Sequence, residues 1–168
     1  MTDRAVRHKP EIEIRLATAA DAPSISAVLL QSFIEYKSAY TAAGFAATTP
    51  DVERIHARIL EGPVWLALLE RVVAGTVSAV LEGDSLYVRG MAVLPAARGH
   101  RIGELLMARV EGFARSQKCK RLFLSTTPFL SRAIALYVRL GFSRTGEGPH
   151  DLCSTPLLTM ERIIEPSF

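Results

Sequence analysis

Residues 86–113 read LYVRGMAVLPAARGHRIGELLMARVEGF, and the rest of the chain is organised around them. The stretch opens as an apolar strand, turns at Pro95 and crosses a short loop holding Arg98, Gly99, His100, Arg101 and Gly103. It continues as an amphipathic helix whose apolar stripe is Ile102, Leu105, Leu106, Val110 and Phe113. A helix begins with backbone N–H groups that have no partner inside it, and its peptide dipoles sum to a partial positive charge there. An anion is the natural complement. Arg98 and Arg101 add two guanidinium charges, while Gly99 and Gly103 lack a Cβ and let an anion approach the main chain. Strand, basic loop and helix together predict a ligand carrying a phosphate or pyrophosphate; the competing reading is a solvated basic turn before an ordinary helix.

The chain's 168 residues suffice for one compact domain and are too few for two, so a loose polar tail over residues 1–10 and a single domain over residues 11–168 are expected. A content of 49% hydrophobic and 22% charged residues is that of an ordinary globular protein. The net charge of +3 is too small and scattered to indicate nucleic acid. The longest apolar runs are too short for a bilayer, and the first residues lack the apolar segment of a secretion signal. A cytoplasmic location away from membranes is therefore expected. Cys119 and Cys153 are the only cysteines, and neither they nor any trio of His, Asp, Glu or Cys has metal-ligand spacing. No metal is expected, and a disulfide is disfavoured because nothing else suggests secretion.

On either side of the central stretch, polar and apolar residues alternate over residues 11–17, with Ile12, Ile14 and Leu16 on one face of a first strand. Thr18 and Asp21 are spaced as a capping box ahead of a helix with the stripe Ile25, Val28, Leu29 and Phe33. Residues 35–49, with Tyr36, Tyr40 and Phe45, are partly helical. Pro50 as a first-turn proline, the stripe Val52, Ile55 and Ile59, and the stop at Gly62 and Pro63 predict a second helix. Strands follow over residues 64–70 and 71–82 as a hairpin of undefined turn type, and a further strand covers residues 121–125. Pro128 is expected to start a helix closed by Gly141, and residues 142–148 and 156–164 are the last strands. Alternating strands and helices predict a mixed sheet with helices on both faces.

Two blocks carry a resemblance to a known family. Arg98, Arg101 and Gly103 fill the fixed places of the R/Q-x-x-G-x-G/A acyl-CoA loop of the GNAT superfamily of N-acetyltransferases, with Arg101 where the family more often has its middle glycine. The stretch AIALYVRLGF, residues 133–142, resembles the second block, N-x-x-A-x-x-L-Y-x-x-x-G-F. Ala133, Leu136, Tyr137, Gly141 and Phe142 match it, and Leu130 stands where the family commonly has asparagine. The resemblance spans roughly residues 11–164 and implies an α/β (α+β) fold: a mixed, mostly antiparallel sheet of about seven strands with helices on both faces.

The resemblance also implies the chemistry. A neutral primary amine of a small molecule, amino acid or peptide attacks the thioester of acetyl-CoA, and a tetrahedral intermediate expels CoA thiolate. Arg98, Gly99, His100, Arg101, Ile102 and Gly103 would hold the pyrophosphate, and Met91, Ala92 and Val93 would pair with the pantetheine amides. Leu130, Ala133 and Tyr137 would flank that arm from the second block. Such pairing requires the central strands to part, and Gly90 could supply the bulge. The Val93 N–H would polarise the thioester oxygen and Tyr137 would protonate the thiolate. A general base is not evident, with Glu82, Asp84, His150 and Asp151 as the nearby candidates. Phe33, Tyr36, Tyr40, Phe45 and residues 148–153 would line an acceptor pocket more apolar than charged. A protein N-terminal or lysine acetyltransferase, a noncatalytic acyl-CoA sensor and a nucleic-acid-binding module remain as rivals, and a homodimer is possible.

Overall fold

The computed structural model describes residues 8–167, and within them a seven-stranded sheet carries the fold. Of the expected tail, residues 1–7 lie outside the described residues, and His8, Lys9 and Pro10 belong to no helix or strand. The strands are β1 (Ile12–Leu16), β2 (Val64–Leu69), β3 (Val72–Glu82), β4 (Ser85–Val93), β5 (Arg121–Thr126), β6 (Ser143–Thr145), β7 (Asp151–Leu152), β8 (Thr155–Pro156) and β9 (Leu158–Ile163). The helices are α1 (Ala22–Phe33), α2 (Ala42–Thr48), α3 (Val52–Glu61), α4 (Ile102–Ser116) and α5 (Ser131–Arg139). Strand order in the sheet is β1-β2-β3-β4-β5-β9-β6, while β7 and β8 form a small separate hairpin. Only β4 and β5 run parallel, joined by the α4 crossover, and every other pair is antiparallel. This is the mixed, mostly antiparallel sheet that the family resemblance implies.

Both faces of the sheet are covered, which explains why β2 reads VWLALL without polar interruption. Val64 and Leu66 pack with Ala22, Ile25, Val28 and Leu29 of α1 and Ile55 of α3. Trp65 and Ala67, pointing the other way, pack with Ile102, Leu106, Met107 and Val110 of α4. The β2–β3 turn holds Glu70 and Arg71 at φ values of 49° and 67°. Two consecutive left-handed residues are the type I′ geometry that matches strand twist, achieved here without glycine.

Several local expectations change in the folded chain. Asp51 caps α3 by accepting from the Arg54 N–H at 2.9 Å, so Pro50 precedes the cap and does not stand in the first turn. Pro128 lies in a turn closed by the Leu130 N–H donating to the Thr127 carbonyl at 3.2 Å, and α5 starts only at Ser131. Leu105 is 40% exposed and Leu16 58% exposed; Met107 and Ala114 complete the buried face of α4 instead. Cys119 is buried, Cys153 is exposed, and both are free thiols.

The start of α1 is anchored as the sequence suggests, with an added ion pair. Asp21 accepts from the Thr18 N–H at 2.7 Å and from both terminal nitrogens of Arg15 at 2.8 and 2.9 Å. The Arg15 hydrogen bonds hold the Asp21 carboxyl down at about 2. Because the folded-state pKa is depressed, the stabilisation is present above pH 4 and disappears as pH falls toward 2. Asp21→Asn should cost about 1 to 2 kcal/mol at pH 7, discounted for partial solvent screening, and the gap to wild type should close between pH 4 and pH 2 in denaturant titrations.

Candidate active site

Parallel pairing of β4 with β5 stops at Val88 and Leu124, although β4 continues to Val93 and β5 to Thr126. On its other side β4 pairs with β3, and there the register slips: Thr76 faces Ala92 while Ser78 faces Arg89. Three steps along β4 match two along β3, so one extra residue is inserted beside Gly90, whose φ is +62°. The bulge anticipated at Gly90 is present, and beyond it the strands diverge. The edge of β4 that faced β5 therefore opens onto a cavity of about 700 Å³ instead of a strand.

The start of α4 lies at the other end of this opening. Arg101 precedes the helix with φ +60°, and the first bond within the helix runs from the Leu105 N–H to the Arg101 carbonyl at 3.1 Å. The N–H groups of Ile102, Gly103 and Glu104 thus have no partner within α4, and all three residues line the cavity. The left-handed conformation of Arg101 explains why glycine is the commoner residue at that place. Its side chain points outward, 80% exposed, and meets Glu104 at 2.8 Å. Arg98 is ion-paired with Glu35 from the 3₁₀ segment after α1. Both guanidinium groups are therefore partly neutralised, and the uncompensated positive potential comes from the main chain.

The glycines of the loop serve different ends. Gly99, at φ +89°, faces open space, as close approach of an anion requires. At Gly103 a Cβ would lie 2.8 Å from Leu136 Cδ2, so its absence lets α5 pack against the first turn of α4. Of the residues expected at the site, Met91, Ala92, Val93, Arg98, Gly99, Arg101, Ile102, Gly103, Leu130, Ala133 and Tyr137 line the cavity, and His100 does not.

The second block has a structural cause of its own. Gly141 at φ +89° follows the last turn of α5; its N–H donates to the Val138 carbonyl at 3.1 Å, and the Phe142 N–H donates to the Tyr137 carbonyl at 2.9 Å. This pair of bonds is a Schellman motif, and the Phe142 ring packs on the Tyr137 ring at 5.8 Å. Glycine and phenylalanine thereby fix the turn of helix that carries Tyr137. Only 5% exposed, Tyr137 has its phenol pushed above the usual tyrosine range by burial. Leu130 occupies the cap position of α5 and offers no side-chain hydrogen bond there.

The proposed bases are not brought to the cavity. Glu82 and Asp84 sit at the hairpin end of β4, remote from Gly90, with Asp84 3.4 Å from Lys120. His150 is exposed, and Asp151 accepts from the Ser154 N–H at 3.1 Å. Among the described residues, Glu104 is the one carboxylate lining the cavity. Of the aromatic wall, Phe33, Tyr36 and Tyr40 line it, whereas Phe45 is buried against Tyr40 at 5.9 Å. From residues 148–153 only Leu152 contributes. That loop is tied to α2 through Thr41, whose Oγ1 donates to the Cys153 carbonyl at 2.7 Å.

Sequence reasoning missed Arg58, Ser32, Thr126 and Thr127, all on the cavity wall. The threonines could have been found from their place at the carboxyl end of a parallel strand, where open sheets form their crevices. Arg58 and Ser32 gave no such signal.

Comparison with known proteins agrees with this geometry. The sequence model described as the acetyltransferase (GNAT) family matches residues 30–142. The chain is 34% identical over 137 residues to the uncharacterized N-acetyltransferase YjgM of Escherichia coli K12, covering 77% of this chain and 80% of that protein. In fold, it matches the PaiA N-acetyltransferase of Thermoplasma acidophilum, solved in complex with coenzyme A, with TM-score 0.78, 16% identity and coverage of 92% and 99%. It also matches YncA of Salmonella typhimurium, solved with its cofactor acetyl-CoA, with TM-score 0.70, 22% identity and coverage of 92% and 94%. The chain belongs to the GNAT family and is an N-acetyltransferase.

The bulge is open to direct test. Gly90→Ala places a Cβ 3.0 Å from an Arg58 terminal nitrogen and forces a left-handed alanine. At about 1 to 2 kcal/mol, thermal denaturation should show a Tm lower by about 2 to 8 °C.

Proposed function

We propose that the protein moves an acetyl group from acetyl-CoA to a primary amine of a small molecule, amino acid or peptide, at the opening between β4 and β5. The observation that carries this reading is the parting of the two strands beside the N-terminus of α4, which leaves unpaired main-chain groups along one wall and free N–H donors at the end. The residues fit the group. Thr127 Oγ1 lines the same cavity, buried beside the Tyr40 phenol, and among the described residues no partner lies within full hydrogen-bond geometry of it, as a surface built for a polar ligand would leave it.

Bound acetyl-CoA supplies an activated thioester, whose carbonyl accepts the amine while its thiol departs. The main chain of Met91, Ala92 and Val93 aligns the pantetheine arm, and Val93 N–H is the donor best placed along β4 to polarise a carbonyl. Ile102, Gly103 and Glu104 offer N–H groups to the diphosphate, with Gly99 leaving room and Arg98 turning from Glu35 toward it. Tyr137 donates to the departing sulfur. Burial raises its pKa, so the phenol keeps its proton throughout the neutral range and acts as a hydrogen-bond donor rather than a base. With Glu104 engaged by Arg101, the acceptor's proton leaves through solvent.

Calorimetry on folded protein should detect acetyl-CoA binding, and Arg98→Glu should weaken it by about tenfold or more, since it removes a cation and sets a second carboxylate beside Glu35. Absence of binding heat in the wild type would refute the reading. Tyr137→Phe should lower kcat by about 10²-fold with little change in acetyl-CoA affinity. In wild type, kcat should show no loss on the alkaline side below pH 10, because the raised phenol pKa places its ionisation above that point. Steady-state thiol release across pH checks both.

A further inference from the structure

The cavity has a second cationic end, which the acetyl-CoA reading does not use. Tyr87 and Arg89 alternate on β4 ahead of the bulge, and α3 places Arg58 against them. Arg89 and Val93 lie opposite Ser78 and Gly75, three residues or about 10 Å apart on β3 at ordinary strand rise, so this end is distinct from the diphosphate end at α4. Arg58 also borders a crevice among Ile25, Leu29 and Ile55, and one of its terminal nitrogens lies 3.0 Å from where a Gly90 Cβ would be. Among the described residues, no carboxylate comes within ion-pair distance of Arg58. Arg89 is paired with Glu61, yet its Nε is buried without a partner among the described residues. Ser32 Oγ on α1, on the wall of the same cavity, is likewise buried and unpaired.

Unsatisfied buried polar groups are costly; the arginine nitrogens can only donate, and the Ser32 hydroxyl is able to donate with them. Their common complement is a group with acceptor oxygens and negative charge. Two guanidinium groups offset by the single carboxylate of Glu61 leave one positive charge, which matches a monoanion better than a dianionic phosphate. The planar fork of Arg58 suits a carboxylate held by two parallel hydrogen bonds. Phe33, Tyr36 and Tyr40 supply an apolar wall for a side chain.

We infer that the acceptor amine carries a carboxylate bound by Arg58 and Arg89, which makes the substrate a free amino acid with an apolar side chain rather than a peptide N-terminus. This rests on the acetyl-transfer reading and specifies its acceptor. A peptide replaces the α-carboxylate with an amide and would leave the Arg58 site without its anion.

The test compares L-leucine and L-phenylalanine with L-leucinamide and L-phenylalaninamide as acceptors, with O-phosphoethanolamine as the phosphate-bearing arm. The free acids should show kcat/KM at least about tenfold above their amides, and Arg58→Gln should remove that preference by lowering the acids' values about 10- to 100-fold. The bias of the comparison runs against this result, because removing the carboxylate makes the amine easier to deprotonate. A readout without turnover is calorimetry of the products: N-acetyl-L-leucine should bind the wild type at least about tenfold tighter than N-acetyl-L-leucinamide. This arm stands even if Arg58→Gln fails to fold. Equal or reversed preference, best turnover of O-phosphoethanolamine, or no turnover of either amino acid overturns the inference. If acetyl-CoA still binds in calorimetry, only this inference falls; if it does not, the acetyl-transfer reading falls with it.

Discussion

One inserted residue governs the molecule. Two strands held in parallel register from Ser85 to Val88 would continue to the ends of β4 and β5 if both stayed regular, and the sheet would then have no opening. The bulge at Gly90 breaks that continuity on the β3 side and redirects β4, so its outer edge diverges from β5. This bulge holds its residue at φ +62°, and glycine adopts that conformation without a side chain that would crowd Arg58. The cavity is thus the direct product of a local backbone irregularity inside an otherwise continuous sheet.

The walls of the opening are held by similarly specific contacts. Gly103 allows α5 to press Leu136 against the first turn of α4, which brings two helices to the same mouth. The Schellman motif at Gly141 and Phe142 ends α5 and clamps the turn that bears Tyr137. Motif residues that read as signatures of chemistry are in part devices of packing. They place the phenol by fixing the backbone beneath it, and burial then keeps the phenol protonated.

Electrostatically the cavity is positive at both ends and apolar in the middle. At the α4 end, Glu35 and Glu104 occupy the guanidinium groups of Arg98 and Arg101, so unpaired N–H groups supply the uncompensated positive potential. At the α3 end, Glu61 offsets one of two arginines and leaves Arg58 without a counter-ion among the described residues. The apolar stretch between them lowers the local dielectric and strengthens both ends.

Strand and helix periods, the bulge glycine, the loop ahead of α4 and the paired blocks of the family were all readable in the chain, because each depends on residues a few positions apart. Turn and cap rules misplaced the starts of α3 and α5 by a few residues, since Asp51 and the turn over Pro128 compete with proline as the local signal. Folding alone decided which distant residues meet. The insertion of β9 between β5 and β6, the reach of Glu35 to Arg98 across 63 positions, and the arrival of Arg58 beside Gly90 depend on how helices cross the sheet. A charged residue on a short amphipathic helix looks like solvent-facing surface in any window of sequence. Only packing against β4 turns Arg58 inward, because its neighbours there are supplied by elements that the local pattern cannot position.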